Sequence, residues 1–136
     1  MWRQQPIPSK FRLPAVVVVA ALIILARPTI QSAVSVKNEM SDKKLIVHCQ
    51  SKDDDIGRHV VDVGLDLHWD FLAEIGTQFW CNLAVEDKHL CFDAYQQSDR
   101  DLCCGRIYWK VRDDGVHLVD PDDGETKSYR REWKHL

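Results

Sequence analysis

From about residue 44 onward, apolar and polar side chains alternate with a period of two, the pattern of strands with one buried face. In "KLIVHC", Leu45, Val47 and Cys49 share a face. In "LHWDFL", Leu67, Trp69 and Phe71 point one way, and His68 and Asp70 the other. Phe79, Cys81 and Leu83 align in "TQFWCNL", as do Leu90, Phe92 and Ala94 in "HLCFDAY". The cleanest case is "RIYWKVR", where Ile107, Trp109 and Val111 alternate with Arg106, Tyr108, Lys110 and Arg112. "GVHLV" contributes Val116 and Leu118, and "TKSYRREW" reads as a last strand. Between these runs lie turn signals: "DDDIG", "VGLD", "EIGT", "DDG" and "DPDDG". Helical periodicity of any length is absent. The pattern predicts an all-β fold, an antiparallel β-sandwich of seven to eight strands.

The amino-terminal segment has a different character. Arg3, Lys10 and Arg12 precede "LPAVVVVAALIILA", residues 13–26, an uncharged apolar run too short to cross a bilayer comfortably. A basic segment, a short apolar run and small residues beyond it have the layout of a secretory signal peptide. "AVS" at 33–35 places small residues where a signal peptidase reads, so cleavage is expected after Ala33 or Ser35. The division is then a signal peptide at 1–33, a flexible mature amino terminus at 34–43 and a folded domain at 44–136. No membrane insertion is expected after cleavage. The competing reading of the apolar run is a buried or membrane-anchoring helix.

Loss of that segment changes the charge. Four of the 18 Lys and Arg lie in it, and all 21 Asp and Glu lie after it, so the remainder carries a net −7 with His neutral. Such a chain is repelled by phosphate backbones and anionic lipid, which argues against a nucleic-acid partner and for a neutral or basic one. All five cysteines, Cys49, Cys81, Cys91, Cys103 and Cys104, also lie after it. A secreted domain of this size commonly supplements a modest core with disulfides, and an odd count leaves a thiol unpaired or bonded to another chain. The sequence has no Asn-x-Ser/Thr glycosylation site.

Candidate chemistry is sparse. Asp53, Asp54 and Asp55 could hold calcium, but neighbouring side chains on an extended backbone point apart, and Asp and Gly are favoured turn residues. "DPDDG" does not match a calcium-loop spacing. The histidines and cysteines lack zinc-ligand spacing, since His48 and Cys49 face opposite ways on one strand. No catalytic, metal-binding or cofactor-binding residue is assigned, and no cofactor is expected. Trp69 and Trp109 read as core residues. Trp80, out of phase with Phe79 and Cys81, is the tryptophan placed for contact with a partner.

The order of segments resembles a known family. "LIVHCQSKDDDIGRHVVDVG", "WDFLAEIGTQFWC", "FDAY" and a cysteine cluster before "YWKVRDDGVHL" are similar to the plant self-incompatibility S-protein homologue family over about residues 43–133. Its members open with V-x-C-x-S-x-D-D-D-L-G, continue through G-T-x-F-W-C and finish with C-x-x-C-x-W followed by D-G. The resemblance implies a small secreted β-sandwich stapled by disulfides and without enzymatic activity. Its founding members act as ligands for a pollen membrane protein in self-pollen rejection. The corresponding expectation here is a monomeric ligand for a membrane receptor on another cell. The runner-up is a small calcium-dependent binder or hydrolase using the aspartate-rich loops. The resemblance also implies that Cys49 and Cys81 are paired, without naming their partners. Ile107 stands where the family's second cysteine of C-x-x-C-x-W belongs, and Cys91 and Cys103 are candidates to replace it. The exposed candidates for recognition are the loop at 51–57, with Asp53, Asp54 and Asp55, and the segment at 96–103.

Overall fold

The computed structural model describes residues 28–135. Ten strands form two five-stranded sheets: β1 (Ile30–Asn38), β2 (Leu45–Gln50), β3 (Asp55–Val61), β4 (Asp66–Ala73), β5 (Gln78–Val85), β6 (Lys88–Gln96), β7 (Arg106–Arg112), β8 (Gly115–Val119), β9 (Thr126–Glu132) and the short β10 (Lys134–His135). The first sheet runs β4-β1-β7-β8-β9 and the second β10-β6-β5-β2-β3. All pairings are antiparallel except β1 with β7. The all-β sandwich read from periodicity is the observed architecture, with more strands than the expected seven or eight.

The faces follow the sequence. Leu45, Val47 and Cys49, then Phe79, Cys81 and Leu83, then Ile107, Trp109 and Val111, are all buried. Aromatic side chains from the two sheets meet in the middle. Phe92 of β6 packs edge-on to Trp109 of β7 with ring centroids 4.8 Å apart, and Trp69 of β4 packs on Phe79 of β5 at 5.6 Å. The Trp109 indole Nε1–H donates to the Ala94 carbonyl at 3.0 Å, a direct hydrogen bond from one sheet to the other.

The amino-terminal reading requires correction. Residues 34–43 are not a flexible tail, and the folded domain does not begin at 44. Strand β1 lies between β4 and β7, with Ser32, Ala33, Val34, Ser35 and Val36 all buried. Its alternation is hidden because small and polar residues are buried on both faces; the Ser35 hydroxyl donates to Asp66 Oδ2 at 2.8 Å. Asn38, fully buried, ends the strand by donating to the carbonyls of Lys43 (2.8 Å) and Val61 (2.9 Å) and accepting from the Met40 amide (2.9 Å). Every polar atom of that amide has a partner, which makes it a connector between β1 and β3 rather than a defect. Cleavage after Ala33 or Ser35 would cut β1 in two. Residues 1–27, which carry the expected signal segment, lie outside the described residues.

Strand β3 also differs from the expected loop at 51–57. Asp55, Ile56 and Gly57 already belong to it. It is an edge strand whose only buried residue is Val61, so its sequence shows little alternation. The β2–β3 register slips between Cys49 and Gln50, where the chain leaves the ladder for the loop.

Candidate functional site

Three loops gather at one end of the sandwich: residues 51–54 between β2 and β3, the turn 74–77 between β4 and β5, and residues 97–105 between β6 and β7. Each is fixed by its own hydrogen bonds. The Ser51 amide donates to the Asp54 carbonyl at 2.7 Å, and the Asp54 amide to Ser51 Oγ at 3.0 Å. The Glu74 amide donates to Thr77 Oγ1 at 2.9 Å and the Thr77 amide to the Glu74 carbonyl at 3.0 Å. This turn carries the chain from one sheet to the other, and Gly76 at φ +88° supplies the left-handed residue it needs. The Gln97 amide donates to the Thr77 carbonyl at 3.0 Å and so ties the third loop to the second. In that third loop Leu102 is buried in the core, which anchors the polar segment around it.

The first two loops form the walls of a cleft of about 500 Å³. Phe71, Leu72, Ile75, Phe79 and Trp80 line it together with the carboxylates of Asp53, Asp54 and Glu74 and the single ammonium of Lys52. Ile75 is 89% exposed and Leu72 63%. Trp80, placed by its parity for outward contact, is half-buried in the wall. The exposed isoleucine at the turn tip carries no signal in the sequence, because an apolar residue in a loop has no periodicity to betray it. The hydroxyls of Ser51 and Thr77 both bond backbone amides.

The three aspartates separate into two roles. Asp53 and Asp54 stay exposed on the cleft lip. Asp55 turns away along β3, its Oδ1 accepting from His48 Nε2 at 2.7 Å and from the Gly57 amide at 2.8 Å. The Gly57 amide bond, and then the His48 bond, hold its carboxyl below the usual carboxylate range. Among the described residues no group of three or more His, Cys, Asp or Glu side chains is disposed to hold a metal ion, so the aspartates offer the calcium reading no converging site.

The cysteines resolve into two disulfides and one thiol. Cys49 and Cys81, both fully buried, face each other across β2 and β5 and are bonded to one another. This staple lies within one sheet and closes a loop of sequence separation 32. Cys103 and Cys104 are bonded to each other across a cis peptide. Ile107, at the position of the family's second cysteine, is buried in the core, and of the two candidates to replace that cysteine Cys103 is bonded and Cys91 is not. Cys91 is a free, exposed thiol that donates to Asn82 Oδ1 at 2.6 Å.

The architecture is a two-sheet sandwich with a disulfide inside its second sheet and three hydrogen-bonded loops at one end. The family model described as plant self-incompatibility protein S1 matches residues 33–133, and the chain belongs to this family. The match includes most of β1, in agreement with its place inside the fold. The chain is 32% identical over 112 residues to S-protein homolog 21 of Arabidopsis thaliana, covering 76% of this chain and 83% of that protein. It is 34% identical over 82 residues to self-incompatibility protein S1 of Papaver rhoeas, covering 56% of this chain and 58% of that protein. Its fold is similar to a solved self-incompatibility protein homologue, described as one of a widespread family of small, highly stable, secreted plant proteins. The TM-score is 0.58 at 14% identity, over 78% of this chain and 96% of that one.

Proposed function

We propose that this chain is a secreted, non-enzymatic ligand in cell–cell recognition or signalling, acting as a monomer on a membrane receptor of another cell. Family membership supports the class, and the poppy relative, by its name, acts in self-incompatibility. The observation that carries the reading is the loop end. Hydrogen-bonded loops on a packed sandwich hold an exposed apolar and acidic surface ready for a partner, at low ordering cost. The signal segment is then removed upstream of Ile30, which leaves β1 whole.

The test has two parts. Amino-terminal sequencing of protein recovered from the medium of expressing plant cells is expected to start before Ile30; a product still starting at Met1 refutes secretion through cleavage. Fluorescently labelled protein is expected to bind intact plant cells saturably, with competition by unlabelled protein. A linear, non-competable uptake on cells from every tissue assayed refutes the ligand role.

A further inference from the structure

The cleft at the loop end joins two surfaces that isolated folding does not explain. One is apolar: Leu72 and Ile75, 63% and 89% exposed, stand on the same cleft as Phe71 and Trp80. Single exposed apolar residues are ordinary, but a cluster in a concavity marks a place that a partner covers. The other surface is charged, with Asp53 and Asp54 exposed on the lip beside Lys52. We infer that the cleft seats a basic peptide segment of a partner protein, carrying one or two Lys or Arg side chains beside a large apolar one. The inference rests on the recognition reading above and adds the chemistry of what is recognised.

Three observations select this occupant. Charge excludes the closest rivals. Residues 28–136 carry 14 basic and 21 acidic side chains, so a second copy, an anionic lipid surface or a nucleic acid meets repulsion at a lip that is itself acidic. Geometry favours a segment of protein over a small molecule. Ile75 lies at the tip of the wall, not on the floor, so covering it requires a partner that extends beyond the cleft. Size allows an anchor, since about 500 Å³ lies within the range of sites that enclose apolar groups among a few polar ones. The apolar anchor would rest on Leu72, Ile75 and Trp80, and the cationic groups on Asp53 and Asp54. Both walls are already held by the Ser51–Asp54 and Glu74–Thr77 hydrogen bonds, so little ordering accompanies binding.

The test is an amide chemical-shift titration of the isotope-labelled, disulfide-intact secreted chain with short synthetic peptides of equal length. One peptide combines Arg and Lys with Trp and Leu. A second replaces Trp and Leu by Ser, and a third replaces Arg and Lys by Glu. The first is expected to give saturable shifts at Asp53, Asp54, Ile75, Gly76, Thr77 and the Trp80 indole. The other two are expected to bind at least about tenfold more weakly. Ile75→Ser, a change at an exposed tip, is expected to weaken the first peptide by about tenfold with the melting temperature unchanged. Asp53→Asn with Asp54→Asn is expected to weaken it and to flatten its salt dependence. Equal binding of the Glu peptide overturns the inference, as does the absence of saturable shifts in this cleft. So does the same set of shifts on adding calcium alone or anionic vesicles, or on raising protein concentration. A chain that binds plant cells saturably yet ignores the basic peptide loses this inference and keeps the ligand reading; a chain that binds neither loses both.

Discussion

Strand β1 makes a sharp prediction about where the mature chain begins. Consider three versions, starting at Thr29, at Val34 and at Val36, the last two being the products of cleavage after Ala33 and Ser35. The start at Thr29 keeps all of β1. The start at Val36 removes Ser32, Ala33, Val34 and Ser35, all buried, and with them most of the pairing to β4. Burial of Val34 alone is worth about 1.5–3 kcal/mol. The hydrogen bond between Ser32 Oγ and the Tyr95 hydroxyl at 3.1 Å is lost too, and such bonds contribute about 1 kcal/mol net. The new terminal ammonium would sit at Val36, which is 0% exposed, and burying an unpaired charge costs several kcal/mol more. Together these approach the whole stability of a small domain, about 5–15 kcal/mol. Thermal melts followed by circular dichroism should show one cooperative transition for the Thr29 start and none for the Val36 start. The Val34 start, with its charge at another fully buried position, should melt at least about 15 °C lower, at 4–8 °C per kcal/mol for a domain of this size. Melting temperatures within about 5 °C of each other for all three would refute the role given to β1.

Three further outcomes follow from the same packing. Replacing Cys49 and Cys81 together by Ala removes a bond closing a loop of sequence separation 32, which should cost about 3–4 kcal/mol; urea denaturation with an unchanged midpoint would contradict this. Gly115→Ala would place a methyl 2.0 Å from the Arg131 carbonyl oxygen at φ +142°, forcing β8 and β9 apart. A loss of about 2 kcal/mol or more is expected, and a melting temperature equal to the parent's would refute the contact. Asp55 is held below its ordinary value of 3.8, so its contribution is present above that pH and fades as pH falls through the lower folded value. The Gly57 amide should report that midpoint below 3.8 in a pH titration and lose the response in Asp55→Asn; a midpoint at or above 3.8 would contradict the two hydrogen bonds.

Periodicity reveals a strand when one face is buried and the other is wet. Strand β7 satisfies that condition and reads cleanly, with Ile107, Trp109 and Val111 buried in alternation. Strand β1 does not: it lies between two neighbours with five consecutive buried residues, and Ser32 and Ser35 make it look polar. Strand β3 fails for the opposite reason, being an edge with almost nothing buried. The site divides along the same line. Trp80 was marked by breaking the phase of its own strand, and Asp53 and Asp54 by turn chemistry. Ile75 carried no such mark, and the separation of Asp55 from its neighbours depends on His48 of the adjacent strand, which only the fold brings near. The mutual pairing of Cys49 and Cys81 likewise depends on the β2–β5 register, which places them opposite one another.

The loop end as the binding surface is tested most directly by comparing its two ends on cells. Ile75→Ser alters the cleft, whereas Asp87→Asn alters the exposed β5–β6 turn at the far end of the same strand. Saturation binding of labelled protein to plant cells is expected to weaken by about tenfold for Ile75→Ser and to be unchanged for Asp87→Asn. Equal binding by both variants and the parent chain, or a loss confined to Asp87→Asn, would contradict it.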